Sequence, residues 1–270
     1  MFFNLVYLIK VNRRMTHWRW FLSFVLGVGL SLGSNSLLRA ESASSAPVAL
    51  KTLINQIDTA ANSQDLQKLM ALYSPQFVTD DGLMSDSYSQ ALTGLWKRYP
   101  NLKYTTDLLS WDKTENAWTA ETLTTVEGTS KEDDRVVQLK ATIKSRQTFE
   151  DGKLVRQEIL EERTELTSGS NPPQIEVKLP ETVRVGQEFD FDVIVKEPLN
   201  DNLLAGIAIG EKIASNRYLE PSAMELQLLQ AGGIFKRIKA SENPENHWFS
   251  ALLVRPDGMV LVTQRVRFQP

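Results

Sequence analysis

Two adjacent acids, Asp80 and Asp81, are the residues of this sequence best placed for acid–base chemistry. They lie in the stretch DLQKLMALYSPQFVTDDGLM, residues 65–84, after a predicted helix and a short apolar run. A carboxylate that removes a proton from a substrate needs a partly dry pocket, which holds its pKa near the working pH. It also needs a hydrogen-bond donor for the developing oxyanion. The alternative is that Asp81 is only the polar residue of a turn before Gly82.

The residue composition excludes several other kinds of chemistry. The chain has 270 residues, no cysteine, and two histidines, His17 and His247. Disulfides, thiolate metal sites and cysteine nucleophiles are therefore excluded, and a histidine-rich metal site is not expected. We predict neither a metal nor a cofactor.

Residues 1–40 have the features of a secretory signal in the usual order. A basic flank precedes the apolar run Trp20–Gly33, and a stretch of small residues follows it. We predict cleavage after Ala40, with an uncleaved membrane anchor as the alternative, and Met15 as an alternative start to Met1. The protein is then expected to be exported to the periplasm, or to an equivalent extracytoplasmic compartment, of a bacterium.

Removal of that signal changes the charge balance. Residues 1–40 carry five Lys or Arg and no Asp or Glu, so the remainder has 25 basic and 33 acidic residues and a net charge of −8. A negative surface opposes binding to nucleic acid or to anionic membranes. We predict no nucleic-acid partner, and contact with a membrane only through the N-terminal segment.

Residues 47–167 are predicted to contain three helices followed by four long antiparallel strands. Apolar residues recur with helical spacing from Leu50, from Leu66 and from Tyr88, and prolines end the second and third helices. A short strand, Phe77–Thr79, separates those two helices. Asn62 or Ser63 is the expected cap of the second helix.

This order of elements, together with the stretch LINQIDTAANSQDLQKLMALYSPQFV, resembles the nuclear transport factor 2-like superfamily, also called the SnoaL-like or cone-fold family. The resemblance covers about 120 residues, from near 48 to near 167. It implies a curved antiparallel sheet that wraps the helices and leaves a conical pocket. In the steroid-isomerase branch the general base follows the second helix, where Asp80 and Asp81 stand here.

The sequence departs from that branch at the residues that donate to the oxyanion. The branch has a tyrosine on its first helix and an acid on a late strand, but residues 48–62 contain no tyrosine and the third long strand has no acid between Val136 and Thr148. The acids and arginines of the fourth long strand are expected on its outer face, in salt bridges: Arg156, Glu158, Glu161, Glu162 and Arg163.

Aromatic residues are the candidates for lining such a pocket, and the alternative is that they fill it. In an enzyme, the tyrosines among them are also candidates to replace the missing donors. The candidates are Tyr73, Tyr88, Trp96, Tyr104 and Trp118.

The second part of the chain reads as strands alone. Residues 168–174, SGSNPPQ, are predicted to form a Pro-rich linker, and about seven short strands follow in residues 175–270. The stretch PETVRVGQEFDFDV resembles bacterial Ig-like adhesive and accessory domains. The predicted class is therefore α+β. After a short linker, 41–46, an N-terminal cone-fold domain of three helices on a curved antiparallel sheet, 47–167, precedes a C-terminal all-β Ig-like sandwich.

The functional prediction follows from these parts. It is an exported, non-enzymatic binding or accessory protein whose cone domain binds a small apolar ligand or an envelope protein. One alternative is an isomerase- or lyase-type enzyme with Asp80 or Asp81 as general base. The other is a dimeric scaffold in which two copies meet through the sheet of the cone domain.

Overall fold

The computed structural model describes residues 41–132, 135–198, 203–218 and 222–270. Strands account for 57% of the described residues and helices for 19%. The predicted signal, residues 1–40, with its expected cleavage after Ala40, lies outside the described residues. Within the described ranges, no helix is long and apolar enough to cross a membrane.

Three α-helices form where the apolar spacing predicts them: α1 Val48–Asn62, α2 Leu66–Ala71 and α3 Ser85–Arg98. Leu50, Leu53 and Ile54 form the buried face of α1. In α3, Asp86 lies in the first turn and basic residues lie in the last turn, which complements the helix dipole at both ends.

The second helix is shorter than its apolar pattern indicates. Asp65, rather than Asn62 or Ser63, caps α2, since its carboxylate accepts the backbone N–H of Lys68 at 3.0 Å. The chain leaves α2 at Ala71, so Tyr73 begins a strand instead of extending the helix.

Six strands accompany the helices. They are β1 Glu41–Ser42, β2 Tyr73–Thr79, β3 Lys103–Lys113, β4 Ala117–Glu132, β5 Arg135–Glu150 and β6 Lys153–Gly169. The neighbours β3–β4, β4–β5 and β5–β6 pair antiparallel, whereas β2 runs parallel to β6.

Eight further strands and one 3-10 turn follow. The strands are β7 Ile175–Lys178, β8 Thr182–Arg184, β9 Glu188–Val195, β10 Ala205–Lys212, β11 Gln227–Leu228, β12 Gly233–Lys239, β13 Glu245–Arg255 and β14 Gly258–Gln269. The 3-10 turn, Ser215–Tyr218, lies between β10 and β11, and another such turn, Ala43–Ser45, precedes α1.

A single sheet of eleven strands runs through both parts of the chain. Its order is β1-β3-β4-β5-β6-β14-β13-β10-β11, with β2 added to β6 and β8 added to β14. The two parts meet where β6 pairs antiparallel with β14, from Arg163 opposite Gln264 to Gly169 opposite Gly258. We call this pairing the seam.

The predicted fold class is therefore wrong. Strands dominate the described residues, and the sheet that supports the helices continues into the last strands of the chain. An α+β protein with a helical cone domain and a separate Ig-like sandwich does not have this continuity. The physical reason is that Ser168 and Gly169, read as the start of a linker, prolong β6 and hydrogen-bond to β14.

The two faces of the long sheet bury two separate apolar cores. The helices cover one face, where Leu252 of β13 and Leu261 of β14 share a core with Leu50 of α1. The three-stranded sheet β12-β9-β7 covers the other face of β10, β13 and β14. There Phe189 packs edge to face against Phe249, with ring centroids 5.5 Å apart.

Candidate functional site

A divided cavity lies between the helices and the sheet. It has two adjoining lobes of about 90 Å³ each. The residues that line both lobes come from α3 and from strands β3 to β6. They are Tyr88, Leu92, Tyr104, Val126, Ile143 and Gln157.

The first lobe, which we call the helix lobe, has a carboxylate in its wall. It is lined by Ile54 and Asp58 of α1 and by Thr106 of β3, among others. The carboxylate of Asp58 accepts the backbone N–H and the hydroxyl of Thr106, both at 2.7 Å. Because a carboxylate has about four acceptor sites, Asp58 can accept further hydrogen bonds from the lobe.

The second lobe, which we call the seam lobe, is mainly apolar. Leu83, Leu95 and Ile159 line it, together with Glu162 and Tyr218. Tyr218 belongs to the 3-10 turn after β10 and is buried. A residue from the second part of the chain therefore closes a cavity whose other walls come from the first part.

Three of the five predicted pocket residues line the cavity. Tyr73 lines the helix lobe, and Tyr88 and Tyr104 line both lobes. The rings of Tyr73 and Tyr88 are stacked at 5.4 Å, and their hydroxyl oxygens are 3.4 Å apart. Burial, and then the neighbouring Tyr88, raises the pKa of Tyr73 above its ordinary value, so its hydroxyl stays neutral.

The two predicted tryptophans are not among the residues that line either lobe. Trp96 is buried in the core behind the cavity, where its Nε1–H donates to the hydroxyl of Tyr104 at 3.0 Å. Trp118 packs against the same core and stands opposite Phe149 in the register of β4 and β5. Trp96 thus contacts the lining of the cavity through its hydrogen bond to Tyr104.

Asp81 is held in an ion pair. Arg265 of β14 donates from Nη1 to Oδ1 at 3.0 Å and from Nη2 to Oδ2 at 2.6 Å, and the hydroxyl of Tyr218 donates to Oδ2 at 2.5 Å. Burial alone favours the neutral acid, but Arg265 and Tyr218 outweigh it and lower the pKa of Asp81. A carboxylate with three such donors is a weak base, and it does not line either lobe.

Asp80 follows β2 and is held by contacts with β6 and β13. Its carboxylate accepts the backbone N–H of Ile159 at 3.1 Å, and Asn246 of β13 approaches it at 3.5 Å. Burial, and then the charge of Asp81, raises the pKa of Asp80 to about 6. That pKa suits a general base, but Asp80 is not among the residues that line either lobe.

A buried polar cluster at the seam was missed by sequence reasoning. We call it the seam cluster, and it consists of Asp81, Glu162, Tyr218, Trp248 and Arg265. Glu162 accepts from Trp248 Nε1 at 2.9 Å and from Arg265 Nη2 at 3.2 Å. The ring centroids of Tyr218 and Trp248 are 4.8 Å apart in an edge-to-face pair.

A β-bulge accounts for the position of Glu162. Lys144 stands opposite Glu161 and Ser145 stands opposite Ile159, so Leu160 is an extra residue in β6. The bulge reverses the alternation of side chains, and Glu162 turns inward while Glu161 stays outside in a 2.7 Å salt bridge with Lys144. The expectation that Glu162 lies on the outer face is therefore wrong.

The residues around Arg265 in the sequence indicate that it is a buried arginine with an acidic partner. The run Val260–Val262 is apolar at every position and is buried on both faces of the sheet. Arg265 lies further along this strand, on the same face as Leu261 and Thr263. A buried arginine there must have a carboxylate partner, because an unpaired buried charge is very costly. The pattern indicates a partner but does not say which one.

No group of three or more ligating side chains within the part of the chain that the structure describes could hold a metal ion.

Comparisons with known proteins each cover less than half of the chain. Residues 170–269 match the family model of a domain of unknown function, DUF8623, which covers less than half of the chain. No curated protein matches the chain.

Several solved structures are similar to about 40% of the chain. Bd1075 of Bdellovibrio bacteriovorus is 21% identical over 41% of this chain, with a TM-score of 0.31, and the match spans only 38% of that protein. A protein from Catenulispora acidiphila with a ketosteroid isomerase-like fold, in complex with trimethylamine, is 11% identical over 40% of this chain and 82% of its own, with a TM-score of 0.29. An epoxide hydrolase of M. tuberculosis is 11% identical over 41% of this chain and 80% of its own, with a TM-score of 0.30.

Proposed function

We propose that this protein is an exported, non-enzymatic binding protein whose divided cavity holds a small, mainly apolar ligand. The observation that carries the proposal is the pair of adjoining lobes between the helices and the sheet, each about 90 Å³ in volume. Cavities of this kind, lined by apolar side chains and a few polar groups, are typical of small-molecule sites. The signal-like sequence of residues 1–40 supports export.

The size of the lobes limits the ligand. An engineered apolar cavity of about 150 Å³ binds benzene. A compound the size of one ring therefore needs more volume than either lobe has alone. A larger ligand requires movement of the side chains in the wall.

The geometry gives less support to the isomerase or lyase alternative. Asp81 is occupied by Arg265 and Tyr218, and Asp80 accepts a backbone N–H at the seam. A general base must come within hydrogen-bond distance of the proton that it removes. Neither acid lines the cavity in which a substrate of this kind binds.

Native mass spectrometry of the protein purified from its own envelope tests the proposal. We expect a non-covalent adduct that is absent from the denatured mass. Ile143 lines both lobes, so Ile143→Trp is expected to fill the cavity and remove the adduct. Val136→Trp is the matched control, since Val136 is an aliphatic residue of the same strand that is 54% exposed.

Two outcomes contradict the proposal. One is a bare mass for the native protein. The other is an adduct that persists in Ile143→Trp, because such a ligand binds elsewhere on the molecule. The Val136→Trp variant separates the loss of the cavity from any general effect of an added tryptophan on strand β5.

A further inference from the structure

One wall of the helix lobe is polar, and the carboxylate of Asp58 belongs to it. Thr106 of β3 stands opposite Thr124 of β4, and the hydroxyl oxygens of the two threonines are 3.0 Å apart. The hydroxyl of Thr106 donates to Oδ1 of Asp58 at 2.7 Å. All three residues line the helix lobe, and none of them lines the seam lobe. The carboxylate is therefore the end of a chain of polar atoms along the wall of this lobe.

The charge of Asp58 acts on another residue of the helix lobe. Burial is the main cause that raises the pKa of Tyr73, and the charge of Asp58 is among the smaller causes. Tyr73 lines the same lobe. The carboxylate is thus close enough to the Tyr73 hydroxyl for a negative charge on one to disfavour a negative charge on the other.

No cation compensates the charge of Asp58 among the residues that the structure describes. Its carboxylate accepts two hydrogen bonds, both from Thr106, and it forms no ion pair there. The acid of the seam lobe differs in this respect, since Glu162 is paired with Arg265 at 3.2 Å. Neither lobe has a lysine, arginine or histidine in its lining. The helix lobe therefore has a negative charge that favours a positively charged ligand.

The rest of the helix lobe suits the alkyl part of such a ligand. Three tyrosines line it, Tyr73, Tyr88 and Tyr104, together with aliphatic side chains such as Ile54 and Leu92. Aromatic rings attract ammonium groups, and aliphatic side chains pack favourably against alkyl groups. A carboxylate with unused acceptor sites binds the hydrogens of an ammonium group in charge-assisted hydrogen bonds.

We propose that the helix lobe binds a small alkylammonium cation, whose N–H groups donate to the carboxylate of Asp58 and whose alkyl group packs against Ile54 and Leu92. The inference rests on the proposed function, since it assigns the ligand class of the same cavity. The lobe volume of about 90 Å³ limits this ligand to a few carbon atoms. The net charge of −8 outside residues 1–40 also attracts a cation to the protein.

Two probes of equal size and shape test the role of the charge. Isopropylammonium carries the ammonium group at neutral pH, and isopropanol replaces that group by a neutral hydroxyl. Ligand-observed NMR titrations of the purified protein give the two dissociation constants, at physiological ionic strength to screen the surface charges. We expect isopropylammonium to bind roughly tenfold more tightly, between the values for an exposed ion pair and for a buried hydrogen bond to a charged group.

Single substitutions assign the preference to one carboxylate. Asp58→Asn removes the charge and keeps an oxygen that accepts from Thr106, so it is expected to abolish the preference for the ammonium. Binding of isopropanol to that variant shows that the cavity is still formed. Asp107→Asn makes the same change in net charge at an exposed acid that lines neither lobe. It is the matched control and is expected to keep the preference.

Backbone amides of the wild-type protein give a second readout that needs no variant. The N–H of Thr106 donates to Oδ2 of Asp58 at 2.7 Å, and the N–H of Lys113 donates to Oδ1 of Asp112 at 2.7 Å. Both amide resonances report on a carboxylate, but Asp112 lines neither lobe. We expect isopropylammonium to shift the resonance of Thr106 more than that of Lys113, and more than isopropanol does.

The outcomes separate this inference from the proposed function. If the wild-type protein binds both probes equally, or if Asp58→Asn keeps the preference for the ammonium, the inference is overturned and the binding function stands. If the wild-type protein binds neither probe, both fail. If Asp58→Asn does not fold, the amide resonances decide: a larger shift at Thr106 than at Lys113 supports the inference, and equal shifts overturn it.

Discussion

Asp81 and Arg265 form a bidentate ion pair that joins two parts of the chain 184 residues apart, with oxygen–nitrogen distances of 3.0 and 2.6 Å. The side chains are 2% and 0% exposed. Glu162 lies on the other side of the same guanidinium, at 3.2 Å. Arg265 therefore compensates two buried carboxylates beside the seam.

Removal of that guanidinium is expected to be strongly destabilising. Arg265→Met keeps much of the side-chain volume but leaves Asp81 and Glu162 as uncompensated buried acids. We expect the free energy of unfolding to fall by about 3–5 kcal/mol, measured by chemical denaturation.

An exposed arginine is the control for that substitution. Arg237 of β12 also contacts two acids, Glu188 and Asp190, but its side chain is 60% exposed. Arg237→Met is expected to leave the free energy of unfolding nearly unchanged, because ion pairs at an exposed site contribute little. Equal effects of the two substitutions would show that burial of Arg265 is not what makes its ion pairs important.

The hydrogen bond between Tyr218 and Asp81 is expected to appear as a coupling energy. Tyr218→Phe removes the hydroxyl and keeps the ring, and Asp81→Asn removes the charge. In a double-mutant cycle, the two substitutions should be less than additive by about 1–2 kcal/mol, because the hydrogen bond has a charged acceptor. The measurement is the free energy of unfolding of the four proteins.

A second double-mutant cycle, between Asp81 and a tyrosine that does not contact it, is the control. Tyr73 is another buried tyrosine, and no contact between it and Asp81 is present among the described residues. Tyr73→Phe and Asp81→Asn are therefore expected to be additive within about 0.5 kcal/mol. Additivity in both cycles would refute a stabilising bond from Tyr218.

The helices and three of the residues that line the cavity could be predicted from the sequence, because they depend on local patterns. Apolar spacing and turn residues place α1 and α3, and three of the aromatic candidates, Tyr73, Tyr88 and Tyr104, line the cavity. The seam depends instead on which distant strand adds to the free edge of β6. Nothing in the local pattern of β6 specifies β14, because an edge strand can pair with any compatible strand.

The inward position of Glu162 was beyond prediction for a different reason. One extra residue in a strand exchanges its inner and outer faces, and the bulge at Leu160 does this within β6. The sequence RQEILEERTEL has no glycine to mark the bulge. Glu161 and Glu162 are equally acidic, so composition alone does not show which of them is buried.

Asp80 is expected to make stability depend on pH. Its pKa is raised from 3.8 to about 6, so the folded protein binds this proton more tightly than the unfolded chain does. The stabilising contribution of the protonated form is complete below pH 3.8 and is lost as the pH rises through about 6. Asp80→Asn mimics the neutral acid, and at pH 7.5 it should be more stable than the wild type.

The size of that effect is limited because Asp80 is only partly buried. With solvent screening, we expect a difference in the free energy of unfolding of about 1 kcal/mol at pH 7.5 and almost none near pH 4. Chemical denaturation at several pH values between these limits gives the profile. Asp107→Asn, at an exposed acid of β3, is the control and should follow the wild type. A constant difference between Asp80→Asn and the wild type across this range contradicts the assignment.

Replacing either of two glycines by alanine is expected to change the free energy of unfolding, and the two changes should have opposite signs. Gly169, at the end of the seam, has a φ of +100°, and an added Cβ there lies 2.5 Å from the carbonyl oxygen of Asp257. Gly94 lies in the middle of α3 with nothing within 4 Å of an added Cβ. Gly169→Ala should therefore lower the free energy of unfolding by at least about 2 kcal/mol. Gly94→Ala should raise it by about 0.5–1 kcal/mol.

The two substitutions together test whether β6 continues to Gly169 and pairs with β14 in solution. If β6 ended before Gly169, as the predicted linker requires, residue 169 would be free to relax around a methyl group, and alanine there would be nearly neutral. A large loss in Gly169→Ala, measured by chemical denaturation beside a gain in Gly94→Ala, means that the close approach of β6 to the β13–β14 hairpin exists in solution. A neutral effect at position 169 means that the two parts of the chain do not share the long sheet.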